Sequence, residues 1–94
     1  MNTIIERRES ADGYPAVVTR LNARWRVSAC RDGIQWILQR ADGARHGRTE
    51  WRGASYSRTR QALMRVSGAS VAEIDPSALA ILEALPARIE GDRP

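Results

Sequence analysis

The stretch Trp25-Arg-Val-Ser-Ala-Cys-Arg-Asp-Gly-Ile-Gln-Trp-Ile-Leu-Gln-Arg40 decides the fold. Asp32-Gly33 stands between two alternating runs, the signature of a two-residue type I′ hairpin. Such a turn fixes the register: Arg31 faces Ile34, Cys30 faces Gln35, Ala29 faces Trp36, Ser28 faces Ile37, Val27 faces Leu38 and Arg26 faces Gln39. Facing residues share a side of a sheet, and side chains alternate with period two. One side therefore carries Trp25, Val27, Ala29, Trp36 and Leu38. The other carries Arg24, Arg26, Ser28, Gln35, Ile37 and Gln39. Turn chemistry and hydrophobic alternation are independent signals, and they agree.

Upstream, residues 1–13 are polar and read as a flexible arm, because few apolar groups offset the entropy of ordering them. Ala16 to Leu21 reads as an extended lead-in. Downstream, Ala41 to Gly47 reads as a loop with a second Asp-Gly pair, and Arg48 to Tyr56 as a third strand. Placing Trp51 on the apolar face sends Arg48, Glu50 and Arg52 to the polar one, and Gly53 marks a bulge or bend. A helix is expected from Ser57 or Thr59 to Ser67, capped by either hydroxyl and stopped by Gly68. A second starts with Asp75 as N-cap and Pro76 at its first position, carries Leu79, Ile81 and Leu82, and ends near Leu85 ahead of Pro86. The expectation is an α+β domain over residues 14–89, a three-stranded antiparallel sheet followed by two helices (β-β-β-α-α), with 90–94 as a tail. Its core is Trp25, Val27, Trp36, Leu38 and Trp51 under Leu63, Val66, Leu79 and Leu82.

All 15 basic residues of the 94-residue chain are arginine. Eleven lie between Arg20 and Arg65 beside only Asp32, Asp42 and Glu50, a local charge of +8 inside a chain of net +4. Codon bias accounts for arginine in place of lysine but not for this clustering, which points to a cationic binding surface. Guanidinium forks suit phosphates and guanine edges, and glutamine suits adenine edges. The candidate nucleic-acid interface is therefore the polar sheet face, Arg24, Arg26, Gln35, Gln39, Arg48 and Arg52, all expected to point to solvent. Arg58 and Arg60 join it at the start of the first helix, where free N–H groups attract phosphate. A solvated polar face with no ligand is the plain alternative. Ile37 and Tyr56 are the candidates for exposed apolar contacts, and the tryptophans read as core.

Catalytic equipment is thin. His46 is the only histidine and Cys30 the only cysteine, neither with a positioned partner. A single cysteine excludes an internal disulfide and argues against a four-ligand zinc site. No phosphate loop or HExxH motif is present. The chain reads as a non-enzyme with no cofactor and no metal, in the cytoplasm, since neither a signal peptide nor an apolar run near 18 residues occurs.

Trp25-Arg26-Val27, Gly33-Ile-Gln-Trp-Ile-Leu-Gln39, Trp51-Arg52-Gly53, Ser55-Tyr56, Asp75-Pro76 and Leu82-Glu-Ala-Leu-Pro86 together resemble a group of short uncharacterised proteins carried on bacterial integrative elements and plasmids. The resemblance spans roughly residues 21 to 89 and implies a genetic context without assigning functional residues. The β-β-β-α order is also similar to the DNA-reading sheets of phage-type integrase arm domains and AP2 domains, as architecture only. Two functions suit that context: an accessory or regulatory protein that binds nucleic acid, duplex DNA first, or a protein-binding inhibitor of host defence such as an anti-CRISPR.

Overall fold

The computed structural model describes residues 8–89. Four strands form one antiparallel meander in chain order: β1 (Val17–Arg20), β2 (Trp25–Ala29), β3 (Trp36–Arg45) and β4 (Arg48–Ser57). Helices α1 (Arg60–Ser70) and α2 (Pro76–Glu83) follow. The class is α+β as expected, with four strands in place of three. The lead-in pairs with β2 through Val17–Ser28, Thr19–Val27 and Arg20–Arg26, and an extra residue falls between Val17 and Thr19.

The β2–β3 register is the one the sequence dictates, from Ala29–Trp36 through Val27–Leu38 to Arg26–Gln39 and Trp25–Arg40. The turn that sets it is different. Only Gly33 adopts a left-handed conformation (φ 70°), and the Cys30 and Gln35 ends close a wider loop in which Gly33 N donates to Cys30 O at 2.9 Å and Cys30 N donates to Gln35 O at 2.9 Å. The type I′ geometry occurs instead at His46-Gly47, with φ of 53° and 77°, between the paired Arg45 and Arg48. The expected 41–47 loop is thus mostly strand, and its Asp42-Gly43 forms a bulge between Ala41–Trp51 and Ala44–Thr49, with Gly43 at φ 92°.

The helices cover the apolar face. Leu21, Val27, Trp36, Leu38, Leu63, Val71, Ala78 and Leu82 form the buried core, with Trp25, Val66 and Leu85 packed against it. Thr59 caps α1 by accepting from Ala62 N at 3.1 Å. The helix runs through Gly68 to Ser70, because a right-handed glycine costs a helix only about 1 kcal/mol. Asp75 precedes Pro76 but makes no side-chain cap; its backbone N–H instead donates to Leu21 O at 2.8 Å and ties α2 to the end of β1.

Trp51 does not join this core. Between Leu38–Ser55 and Gln39–Gly53 the β4 strand carries one extra residue, Ala54. A one-residue slip exchanges faces. It sends Trp51, buried at 3% exposure, to the side opposite the helices and brings Arg52 to theirs.

Two stability outcomes follow. Trp36→Ala should cost about 3–5 kcal/mol in chemical denaturation, as for other core aromatic truncations. Ser67 on α1 is buried, and its hydroxyl has no hydrogen-bond partner among the described residues. Ser67→Ala should therefore raise the thermal midpoint, since it removes an unpaired polar group worth about 1 kcal/mol and improves helix propensity.

Candidate nucleic-acid interface

The polar face of the sheet is covered. Residues 9–16 cross beneath it, and the chemistry of that face holds them there. The Arg26 guanidinium, 1% exposed, donates to the backbone carbonyls of Glu9 (3.1 Å), Ala11 (2.8 Å) and Asp12 (3.2 Å) and, through Nε, to Gln39 Oε1 at 2.7 Å. Gln39 Oε1 also accepts from Ser28 Oγ at 2.7 Å, while Gln39 Nε2 donates to Glu9 O at 2.7 Å. The Trp51 ring lies 4.4 Å from the Arg26 guanidinium and 5.1 Å from that of Arg20. Asp12 links the group by accepting from Trp51 Nε1 at 3.0 Å and pairing with Arg20 at 3.2 Å.

Burial pushes Arg26 down to about 10, with the nearby Asp12 charge opposing the fall, so it keeps its charge at neutral pH. Tyr14 closes the far end of the segment: its hydroxyl donates to Ala29 O at 2.7 Å, and burial, reinforced by the Glu9 charge, raises its pKa. Arg26 and Gln39 are therefore interior groups and do not point to solvent. Ile37, at 1% exposure, is interior too, whereas Tyr56 is exposed. Of the expected 1–13 arm, residues 8–13 belong to or adjoin this packed segment, and residues 1–7 lie outside the described residues.

The other predicted residues fall at two ends of the molecule. Pairing with β2 stops at Trp25–Arg40, but β3 and β4 continue together as a two-stranded arm to the His46-Gly47 turn. Five further residues of β3 at about 3.3 Å each carry it roughly 16 Å beyond the sheet. The register places Arg48 and Arg52 on the side that holds Trp25 and Arg40, and Arg40, Arg48 and Arg52 are exposed. Arg52 Nε pairs with Asp42 at 2.9 Å. Arg24, also exposed, sits at the base, where its carbonyl accepts from Ala41 N at 2.8 Å. The opposite side of that base is braced by Ala11, which bridges to Glu50, and by Ser10 O, which accepts from Trp51 N at 2.8 Å.

Gln35, Arg58 and Arg60 lie at the other end of the sheet, where Trp36 faces Ser57. The helix start there is already occupied. Arg60 N donates to Ala87 O at 2.9 Å, the Arg60 side chain donates to Leu85 O at 2.7 Å, and Thr59 takes Ala62 N. Thr59 also bridges to Arg88 and Ile89 N donates to Arg58 O at 3.0 Å, so the last residues of the expected 14–89 domain are paired. The phosphate corner anticipated for Arg58 and Arg60 is filled by the chain itself.

The structure thus separates the eight predicted residues into a buried pair, an arm group of Arg24, Arg48 and Arg52, and a distal group. It adds Arg40, which the 40–52 arginine spacing signals once the arm is recognised as strand. No group of three or more histidine, cysteine, aspartate or glutamate side chains suited to a metal occurs among the described residues. No helix there is long and apolar enough to cross a membrane. Comparisons with protein families, with curated proteins and with solved structures find no match to the chain.

Arg26→Leu should destabilise the protein by about 3 kcal/mol, because it leaves three carbonyls and Gln39 without their charged donor. Hydrogen exchange at the Trp51 amide, whose acceptor is Ser10 O, should accelerate more than global stability alone predicts. Unchanged protection of that amide relative to the core would show that the segment is held by other contacts.

Proposed function

We propose that the chain binds nucleic acid, with duplex DNA as its ligand, through the projecting β3–β4 arm. The observation that carries this reading is the set of exposed arginines on one side of β3 and β4, with Arg40 and Arg52 facing each other where the arm leaves the sheet and Arg48 on the ribbon beyond it. A major groove about 12 Å wide admits such a ribbon. The Arg40–Arg52 pair at the base and Arg48 further out meet separate phosphates, and Arg24 is a further exposed guanidinium at the base. Asp42 offsets one of these charges. The clustered charge seen in the sequence supports the same reading, and the small size and resemblance to mobile-element proteins support an accessory or regulatory role there. Arg26 and Gln39 contribute by shaping the sheet that carries the arm.

Duplex affinity should fall with salt with a slope of about −3.5 in log–log form, as four phosphate contacts require. Arg24→Ala with Arg48→Ala should flatten that slope by about 2 with the fold intact, because both side chains are exposed. The check is duplex, single-stranded DNA and RNA binding at two salt concentrations. An unchanged slope in the double variant, or no nucleic-acid binding at about 50 mM salt, would overturn the reading in favour of an acidic protein partner.

A further inference from the structure

Trp25, Arg40 and Arg52 are direct neighbours on β2, β3 and β4 and share the helix side of the sheet. The helices cover the adjoining row, where Val27 and Leu38 are fully buried, and leave this one at their margin. Here a cleft of about 230 Å³ is lined by Trp25, Arg40, Asp42, Arg52, Gly53 and Ala54. Trp25 packs on the core and also walls the cleft, and it is half-buried, whereas Trp36 and Trp51 are each 3% exposed.

Two arginines facing each other across strands repel. Asp42 engages Arg52, but no ion pair joins Arg40 to any described residue. The row therefore offers an aromatic surface, an uncompensated guanidinium and a second one only partly neutralised. An anion between Arg40 and Arg52 relieves their repulsion, and a flat apolar group attached to it covers the indole. The space is below the roughly 300–1,000 Å³ of drug-sized sites and suits a single planar ring system.

We infer that this cleft holds one unstacked nucleotide, its base against Trp25 and its 5′-phosphate on Arg40. This rests on the nucleic-acid reading above and deepens it: the arm follows a duplex while its base captures a nucleotide that is unpaired. Stacking of a base on an aromatic side chain is worth about 1–3 kcal/mol. An oligonucleotide duplex with one extrahelical nucleotide should then bind about 5- to 150-fold more tightly than the perfect duplex.

The experiment uses the full chain and two readouts. The first is the affinity ratio between the extrahelical and the perfect duplex. The second is tryptophan fluorescence during titration with adenosine 5′-monophosphate, with adenosine and inorganic phosphate as separate arms. The monophosphate should quench more strongly than either part. Arg40→Gln should bring the ratio to about one and weaken the monophosphate response, whereas Arg24→Ala should lower both duplex affinities and preserve the ratio. Trp25→Leu, checked for folding by circular dichroism, should abolish the quenching. A wild-type ratio of one with no quenching overturns the cleft while leaving duplex binding by the arm in place. Quenching by adenosine equal to that by the monophosphate overturns the anion role of Arg40. Monophosphate binding without any duplex binding supports the cleft and removes the arm reading.

Discussion

The guanidinium of Arg26 is the group around which this molecule is assembled. A buried arginine is costly to desolvate, and the cost is offset only when its donors are matched. Here the match comes from uncharged oxygen, three backbone carbonyls of one segment and one side-chain amide of the neighbouring strand. The ring of Trp51 supplies the aromatic face beneath it. Because the carbonyls belong to residues 9–12, the same contact that solves the solvation of Arg26 fixes the path of the chain ahead of β1. The sheet has helices on one side and a strap on the other, and the end from which the arm projects keeps an uncovered basic surface.

The extra residue Ala54 is the second determinant. Without it, alternation from Ser55 would place Trp51 among the helix-facing residues and Arg52 with Arg26. A second large cation would then crowd the buried site, and the arm would lose the row on which its charges align. Gly53 beside the bulge has its own constraint: a side chain there would meet the Tyr56 ring and, at 3.3 Å, a methyl of Ile37. The local irregularity and the global division of faces are therefore the same fact.

Much of this was legible in the chain. The β2–β3 register followed from the alternation of Trp25 to Leu38 about Asp32-Gly33, even though the turn proved wider, because a loop from Arg31 to Ile34 preserves the same opposite residues. Thr59 as a cap and the α2 start at Pro76 were readable from residue type. The strap was not, since the Arg26 and Gln39 bonds that hold it are accepted by backbone carbonyls, which leave no side-chain pattern. The arm was hidden because Ala41-Asp-Gly-Ala44 has the composition of a loop, and strand pairing with 48–51 overrides it. Alternation sets Arg26 opposite Gln39, as observed, but polar residues on a sheet face usually meet solvent, whereas these two are interior.

Projecting strands have a further consequence, for self-association. A ribbon that leaves its sheet exposes backbone on both outer edges, and such edges recruit other chains into continuous sheets. In this protein each edge is interrupted. Ser10 and Ala11 dock along β4 at Glu50 and Trp51, and the Asp42-Gly43 bulge disrupts the regular spacing of β3. Arginines at the exposed positions add mutual repulsion between copies. The strap thus serves colloidal behaviour as well as folding: a chain trimmed beyond Ala11 would present a longer unguarded edge to its neighbours.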